Sequence, residues 1–256
     1  DLDALPVEER TGLPFASRAT GKADDGSPIP VMHACGHDLH MTAWTGAATL
    51  LARAKGSWRG TLVMIGQPAE EKGAGAARML KDGLFTRFPR PGFALALHVT
   101  PELPSGSVGV TPGPAFASVN SVDLTIHGKG GHGAMPHRTV DPVLIAARTV
   151  VALQALVSRE KDPFEPAVVS VGSFQAGSKH NVIPPEARLK LTVRAYREET
   201  RKRLLDGIRR VAAGESIAGG APKEPDLAIV ESTPGVVNDV ALTERLRAAF
   251  AAALGA

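Results

Sequence analysis

Three short apolar runs each end on residues able to bind a metal ion, and this recurrence constrains the fold more than any other feature of the chain. Residues 29–32 lead to Cys35 and His37, residues 61–66 to Glu70 and Glu71, and residues 93–97 to His98. The second run is almost unbroken in its apolarity, as expected of a parallel strand buried on both faces. After the first run, residues 41–54 carry apolar side chains at helical spacing, and a short helix fits residues 75–81, stopped by Gly83. Strands alternating with helices predict a mostly parallel sheet of the α/β class, in which sites gather at the carboxyl ends of strands.

Residues 32–40 hold the only cysteine and three of the eight histidines. An isolated Cys-x-His is more often a buried thiol beside histidines that cap a helix. The ligand candidates at the other two strand ends favour a metal site instead. Cys35 and His37 are two apart, so on an extended backbone both side chains leave on one side. Thiolate with imidazole suits zinc, and manganese less well. Glu70 and Glu71 are adjacent, so on an extended backbone they point apart and divide the work. One can ligate metal while the other takes a proton from water that the metal has made acidic.

Of the 256 residues, 43% are hydrophobic and 21% charged, an ordinary composition with room for two domains. The 29 basic residues are nearly balanced by 26 acidic ones, and aromatics are only 4%, which does not favour a nucleic-acid partner. The run Arg201-Lys202-Arg203 falls on a helical segment and reads as a solvated face. A single cysteine excludes an intrachain disulfide, and no apolar run reaches membrane-spanning length. A reducing cytoplasm is the expected compartment, and no membrane is expected as a partner.

Glycine and proline recur from Pro101 to Pro114, the composition of a hinge. A second unit follows, with strands predicted at 119–126, 168–174, 188–196 and 227–230 and helices at 142–159 and 198–213. Asp141-Pro142 supplies the N-cap and first position of the first of these helices. The order β, α, β, β, α, β is the split ferredoxin-like arrangement: four antiparallel strands with two helices on one face. A last helix at 238–254 is expected to return to the first domain. The predicted division is therefore 1–112 for a metal-binding domain, 113–233 for a ferredoxin-like α+β lid, and 234–256 for the return.

Gly128-Lys129-Gly130-Gly131-His132-Gly133 matches the dinucleotide fingerprint in form only. That motif opens a helix at once, whereas Pro136 intervenes here, and no acid stands near Leu153-Gln154-Ala155. The glycines better serve a close backbone approach that leaves His132 projecting, where it could donate to a developing oxyanion.

Asp1-Leu2-Asp3-Ala4-Leu5-Pro6, His33-Ala34-Cys35-Gly36-His37-Asp38, Pro68-Ala69-Glu70-Glu71, Leu97-His98-Val99, Gly130-Gly131-His132-Gly133-Ala134-Met135-Pro136-His137 and Asn181-Val182-Ile183-Pro184 together resemble the dinuclear metal amidohydrolases. That family includes hippurate hydrolase, bacterial N-acyl-amino-acid amidohydrolases and plant auxin-conjugate hydrolases. The resemblance implies two divalent ions, zinc or manganese, held by Cys35, His37, Glu71 and His98, with Glu70 as general base. It implies further that His132 stabilises the oxyanion, that Asn181 and Arg194 hold the substrate, and that the lid dimerises. Arg194 would act through the substrate carboxylate. Asp1 stands where broader relatives place a metal histidine, and Asp3 would support the ligands from behind.

Against the family's pattern, the chain is expected to begin after the first strands and to stop before a final histidine ligand, since no histidine follows His180. The implied activity is removal of an acyl group from an N-acyl amino acid. The alternative is a non-catalytic fragment or degenerate relative that acts only through association of its lid.

Overall fold

The computed structural model describes residues 1–23 and 25–255. They form two compact bodies, Asp1–Ser105 and Gly106–Ala256.

In the first body, β1 (Thr20–Lys22) and β2 (Pro28–Pro30) make a short antiparallel hairpin. The chain then turns into α1 (His37–Arg53), four residues earlier than its apolar spacing begins. Helices α2 (Gly75–Lys81) and α3 (Leu84–Arg87) follow, α2 with the predicted bounds. The first five residues are stitched to two later passages: Leu5 and Met32 exchange backbone hydrogen bonds of 2.9 and 3.1 Å, and Leu2 N–H donates to Gln67 O at 2.9 Å. This stitching carries Asp1 and Asp3 to the turns that bear the candidate ligands.

The α/β class holds, but the expected parallel ladder does not form among the described residues: residues 61–66 and 93–97 join no strand pair. A strand buried on both faces needs a hydrogen-bonded neighbour on each side and helices above and below. These runs have no such neighbour among the described residues, and Leu62, Leu95 and Leu97 stay exposed, Leu97 to 67%. Every ladder that does form is antiparallel.

The second body is built on a four-stranded sheet. In chain order its elements are β3 (Gly113–Phe116), β4 (Val119–His127), β5 (Gly131–His132), α4 (Pro142–Ser158), β6 (Ala167–Ala176), β7 (Val182–Ile183), β8 (Glu186–Ala195), α5 (Glu198–Ala218), β9 (Asp226–Thr233), β10 (Val236–Asn238) and α6 (Val240–Leu254). The spatial order β6-β8-β4-β9, all antiparallel, is the ferredoxin-like order predicted from the sequence. Alternation explains the layering. Val122, Leu124 and Ile126 of β4 and Leu189, Leu191 and Val193 of β8 face the helices, which return Ile145, Leu153, Leu156, Leu204 and Ile208. Each such side chain contributes roughly 1.5–3 kcal/mol by leaving water.

Helix α4 starts where the Asp-Pro pair predicts, the Asp141 carboxylate accepting from Val143 N–H at 2.9 Å and Leu144 N–H at 3.4 Å. Helix α5 runs five residues beyond the predicted end, because Ser216 and Ala212 are buried and the packed face continues through them. Arg201 also departs from the solvated-face reading: it hydrogen-bonds the buried Asn120 at 3.1 Å and Glu198 at 2.6 Å. Strands β3 and β10 pair with each other, bringing residues 113–116 beside 236–238, so residues 234–255 lie with the second body. No helix among the described residues is long and apolar enough to cross a membrane.

Candidate metal centre

Cys35 and His37 reach one place by a turn and not by the extended backbone expected. Gly36 N–H donates to His33 O at 3.1 Å, and Gly36 itself adopts φ 73°, capping α1. Only glycine adopts that conformation at low cost, and a Cβ here would also lie 2.4 Å from Val99 Cγ2. The tight turn aims Cys35 at His98, with Sγ and Nε2 3.4 Å apart. Two ligands of one tetrahedral zinc would stand about 3.6 Å apart, from Zn–S near 2.3 Å and Zn–N near 2.0–2.1 Å.

Glu70 and Glu71 also sit on a turn, closed by Gly73 N–H donating to Glu70 O at 2.7 Å. Instead of pointing apart, both reach the same imidazole: Glu70 Oε2 lies 3.7 Å and Glu71 Oε1 3.9 Å from His37 Nε2. The turn is entered through Ala69 at φ 53°, the one non-glycine residue with positive φ among those described. Such strain is held in place by its surroundings, here the Ala69 carbonyl accepting from Ala74 and Gly75 N–H at 3.2 Å each. What separates the carboxylates is exposure. The Glu71 side chain is 22% exposed with Oε1 buried and unpartnered, and its N–H is held by Asp3 Oδ2 at 3.0 Å; the Glu70 side chain is 39% exposed.

Hydrogen-bond partners fix which nitrogen of each imidazole carries a proton. The buried His37 places Nδ1 2.9 Å from the carbonyl of Asp3, and a carbonyl only accepts, so Nδ1 bears the hydrogen and Nε2 a lone pair. His98 places Nδ1 2.7 Å from Val99 O, leaving its Nε2 lone pair toward Cys35. The buried, unpartnered Nε2 of His37 therefore faces two carboxylates, and acceptors facing acceptors are reconciled by a cation. Cys35, His37 and His98 offer atoms within 4.8 Å of one another, as do His37, Glu70 and Glu71. Soft sulfur, imidazole and carboxylate suit a borderline divalent ion. Without that charge, burial and then the neighbouring Glu71 push the Cys35 thiol above its usual pKa. Burial also opposes ionisation of Asp3, yet backbone N–H bonds from Glu71 and Glu70 hold its carboxyl below the ordinary range.

Two residues not singled out as ligands share this cluster. His33 Nδ1 joins His37 on the Asp3 carbonyl, at 3.1 Å. His40 accepts Val99 N–H through Nε2 at 3.0 Å. The proximity of Asp1 to His37 and His40 completes a third group within 4.8 Å. Nothing in the sequence marks the Asp3 main-chain carbonyl as the anchor of two imidazoles, since every residue has one.

The remaining candidates lie in the second body. His132 pairs with Val182 between β5 and β7, and Gly133 N–H donates to Asn181 O at 2.8 Å, so His132 and Asn181 are neighbours. A Cβ on Gly133 would press the Asn181 backbone at 3.2 Å, the close approach anticipated for this loop. His132 Nδ1 accepts from Ala134 N–H at 3.1 Å, which puts its proton on Nε2, pointing that imidazole to a donor role. Arg194 alternates with the buried Val193 and Ala195 on β8, on the sheet face away from α4 and α5, and its guanidinium makes no side-chain hydrogen bond or ion pair among the described residues.

The sequence model of peptidase family M20/M25/M40 matches residues 1–256. An N-acetylcysteine deacetylase of Bacillus subtilis is 39% identical over 93% of this chain and 59% of its own. An N-acetyldiaminopimelate deacetylase of the same organism is 40% identical over 85% of this chain and 55% of its own. The thermostable carboxypeptidase 1 of Saccharolobus solfataricus is 34% identical over 96% and 60%. Among solved structures, a dinuclear metal binding peptidase of the M20 family from Bacillus subtilis superposes with a TM-score of 0.76 at 34% identity, covering 98% of this chain and 61% of that one. The chain thus spans about three fifths of the length of the relatives it matches.

Proposed function

The chain belongs to peptidase family M20/M25/M40, and from that premise we propose that it acts as a metal-dependent amidohydrolase on N-acyl amino acids. The observation that carries this reading is the buried lone pair of His37 Nε2 set against Glu70 and Glu71, with the Cys35–His98 pair beside it. In this proposal Cys35, His37, Glu71 and His98 hold two divalent ions, zinc or manganese. When bound, the ions supply positive charge that polarises an amide carbonyl and acidifies water. Glu70, the more open carboxylate, takes the proton of the attacking water and returns it to the leaving amine. His132 donates its Nε2–H to the developing oxyanion. Asn181 orients the acyl amide, and the unpartnered Arg194 binds the substrate carboxylate in a bidentate pair.

The deacetylase names of two relatives support an N-acyl amino acid over a longer peptide. The proposal extends to a homodimer formed through the ferredoxin-like lid at 113–233, with the metal-binding residues carried by Asp1–Ser105. A reducing compartment such as the cytoplasm suits the free thiol of Cys35. The test is metal content by mass spectrometry together with hydrolysis of a panel of N-acyl amino acids and matched acyl amides that lack the carboxylate. Bound divalent metal and carboxylate-dependent turnover are expected. A metal-loaded protein that cleaves none of the panel would overturn the assigned reaction, and a protein that binds no metal would overturn the centre.

A further inference from the structure

His40 lies one helical turn beyond His37 on α1, and the ligand set above leaves it without a role. Its Nε2 accepts Val99 N–H at 3.0 Å, while the carbonyl of the same residue, Val99, accepts His98 Nδ1–H at 2.7 Å. The two imidazoles meet edge to face, centroids 4.5 Å apart and planes at 76°. We infer that His40 is a positioning residue that fixes His98 for metal by holding the main chain of Val99. The inference rests on the metal-centre reading proposed above.

His98 needs such a hold. It is exposed and follows a run that joins no strand pair, and apart from the 3.4 Å approach of Nε2 to Cys35 Sγ its ring hydrogen-bonds only to the carbonyl of the next residue. A ligand anchored to a free segment would sample many positions; one whose anchoring residue is pinned to α1 moves with His37. His40 thus couples the helix that carries one ligand to the segment that carries another.

The same hydrogen bond excludes His40 as a ligand. A backbone N–H only donates, so His40 Nε2 spends its lone pair on Val99 and Nδ1 carries the hydrogen. Although Asp1, His37 and His40 offer atoms within 4.8 Å of one another, His40 brings a donor to that group. That Nδ1 is buried and unpartnered, and the Asp1 carboxylate is the acceptor in the group that it can serve.

The test compares the full chain with His40→Leu, His40→Gln and His40→Asn. A glutamine places its oxygen where Nε2 stands and keeps the acceptor for Val99 N–H; asparagine is too short, and leucine has none. Cobalt(II) affinity is measured by chelator competition, and the thiolate-to-cobalt and ligand-field absorption bands are recorded. Removing such a supporting partner typically costs about 10–100-fold in metal affinity. His40→Leu is therefore expected to lose affinity in that range with altered bands, and His40→Gln to recover both. If His40→Leu does not fold, His40→Gln is expected to bind cobalt more tightly than His40→Asn. A lower melting temperature with unchanged affinity and bands would mean a merely structural role and overturn the inference, as would equal behaviour of Gln and Asn. Wild-type protein that binds no cobalt would instead overturn the metal-centre reading itself.

Discussion

Gly75→Ala adds one methyl at a residue to which no chemistry is assigned, yet the structure makes it one of the most damaging substitutions available. A Cβ built on Gly75 falls 1.6 Å from the carbonyl oxygen of Pro68 and 2.8 Å from its carbon. An ordinary non-bonded contact is about 3.5 Å, so roughly 2 Å of movement must be found, and the obstacle is main chain that cannot rotate aside. Helix α2 must retreat or the Pro68–Ala69 peptide must shift. Either breaks the 3.2 Å bonds from Ala74 and Gly75 N–H to Ala69 O, which hold Ala69 at φ 53°. Glu70 and Glu71 follow directly, and their 3.7 and 3.9 Å approaches to His37 Nε2 do not survive a shift of that size. Overpacking alone costs about 1–3 kcal/mol, and misplacing a catalytic group by about 1 Å can cost 10²-fold in rate. The expected result is metal stoichiometry reduced by half or more and activity down by at least about 10²-fold. Metal analysis, turnover and thermal unfolding should be run beside Gly214→Ala, where a Cβ meets nothing within 4 Å. If Gly75→Ala keeps full metal content and turnover, the turn does not position the carboxylates as described.

Glu70→Gln should abolish turnover with metal retained, whereas Glu71→Gln should lose metal; equal metal loss in both would refute the division by exposure. Cys35→Ala should lower bound metal and activity together, measured by metal analysis and hydrolysis, and unchanged occupancy would remove the thiol from the centre. Arg194→Ala should raise KM for substrates with a free carboxylate and spare amides that lack one; equal effects on both would make Arg194 structural. Mixing chains carrying Glu70→Gln with chains carrying His132→Ala tests whether subunits share a site. If they do, half the dimers are mixed and each holds one intact site, so activity should recover to roughly a quarter of wild type; no recovery after demonstrated subunit exchange would sink the shared-site model.

Local chemistry was readable wherever one residue type serves one backbone need. Asp141-Pro142 marked the start of α4 because a carboxylate can satisfy free N–H groups and proline has none to satisfy. The ferredoxin-like order was readable because β4 and β8 alternate along their whole length, which fixes the buried face and hence the side on which both helices lie. The runs at 61–66 and 93–97 were misread at the level of pairing: apolarity says that a segment avoids water and is silent about its neighbour. The turns at Gly36 and Ala69 were missed for a related reason. Residue spacing gives side-chain direction only on extended backbone, and one positive φ in each turn reverses it.

The histidines show where sequence reasoning must stop and main-chain geometry take over. All eight are the same residue with the same two nitrogens, and spacing can bring several to one place without saying which presents a lone pair. For His37, His98, His132 and His40 the backbone group beside the ring decides. His37 and His98 meet carbonyls through Nδ1, and each is left with an Nε2 lone pair for a cation. His132 meets an N–H through Nδ1 and is left with an Nε2 proton, suited to an oxyanion and not to a metal. His40 meets an N–H through Nε2 and can do neither with that atom, which makes it a brace. A substitution that exchanges only the backbone partner, by shifting the turn around Val99 or Ala134, would therefore change what these imidazoles do without altering a single histidine.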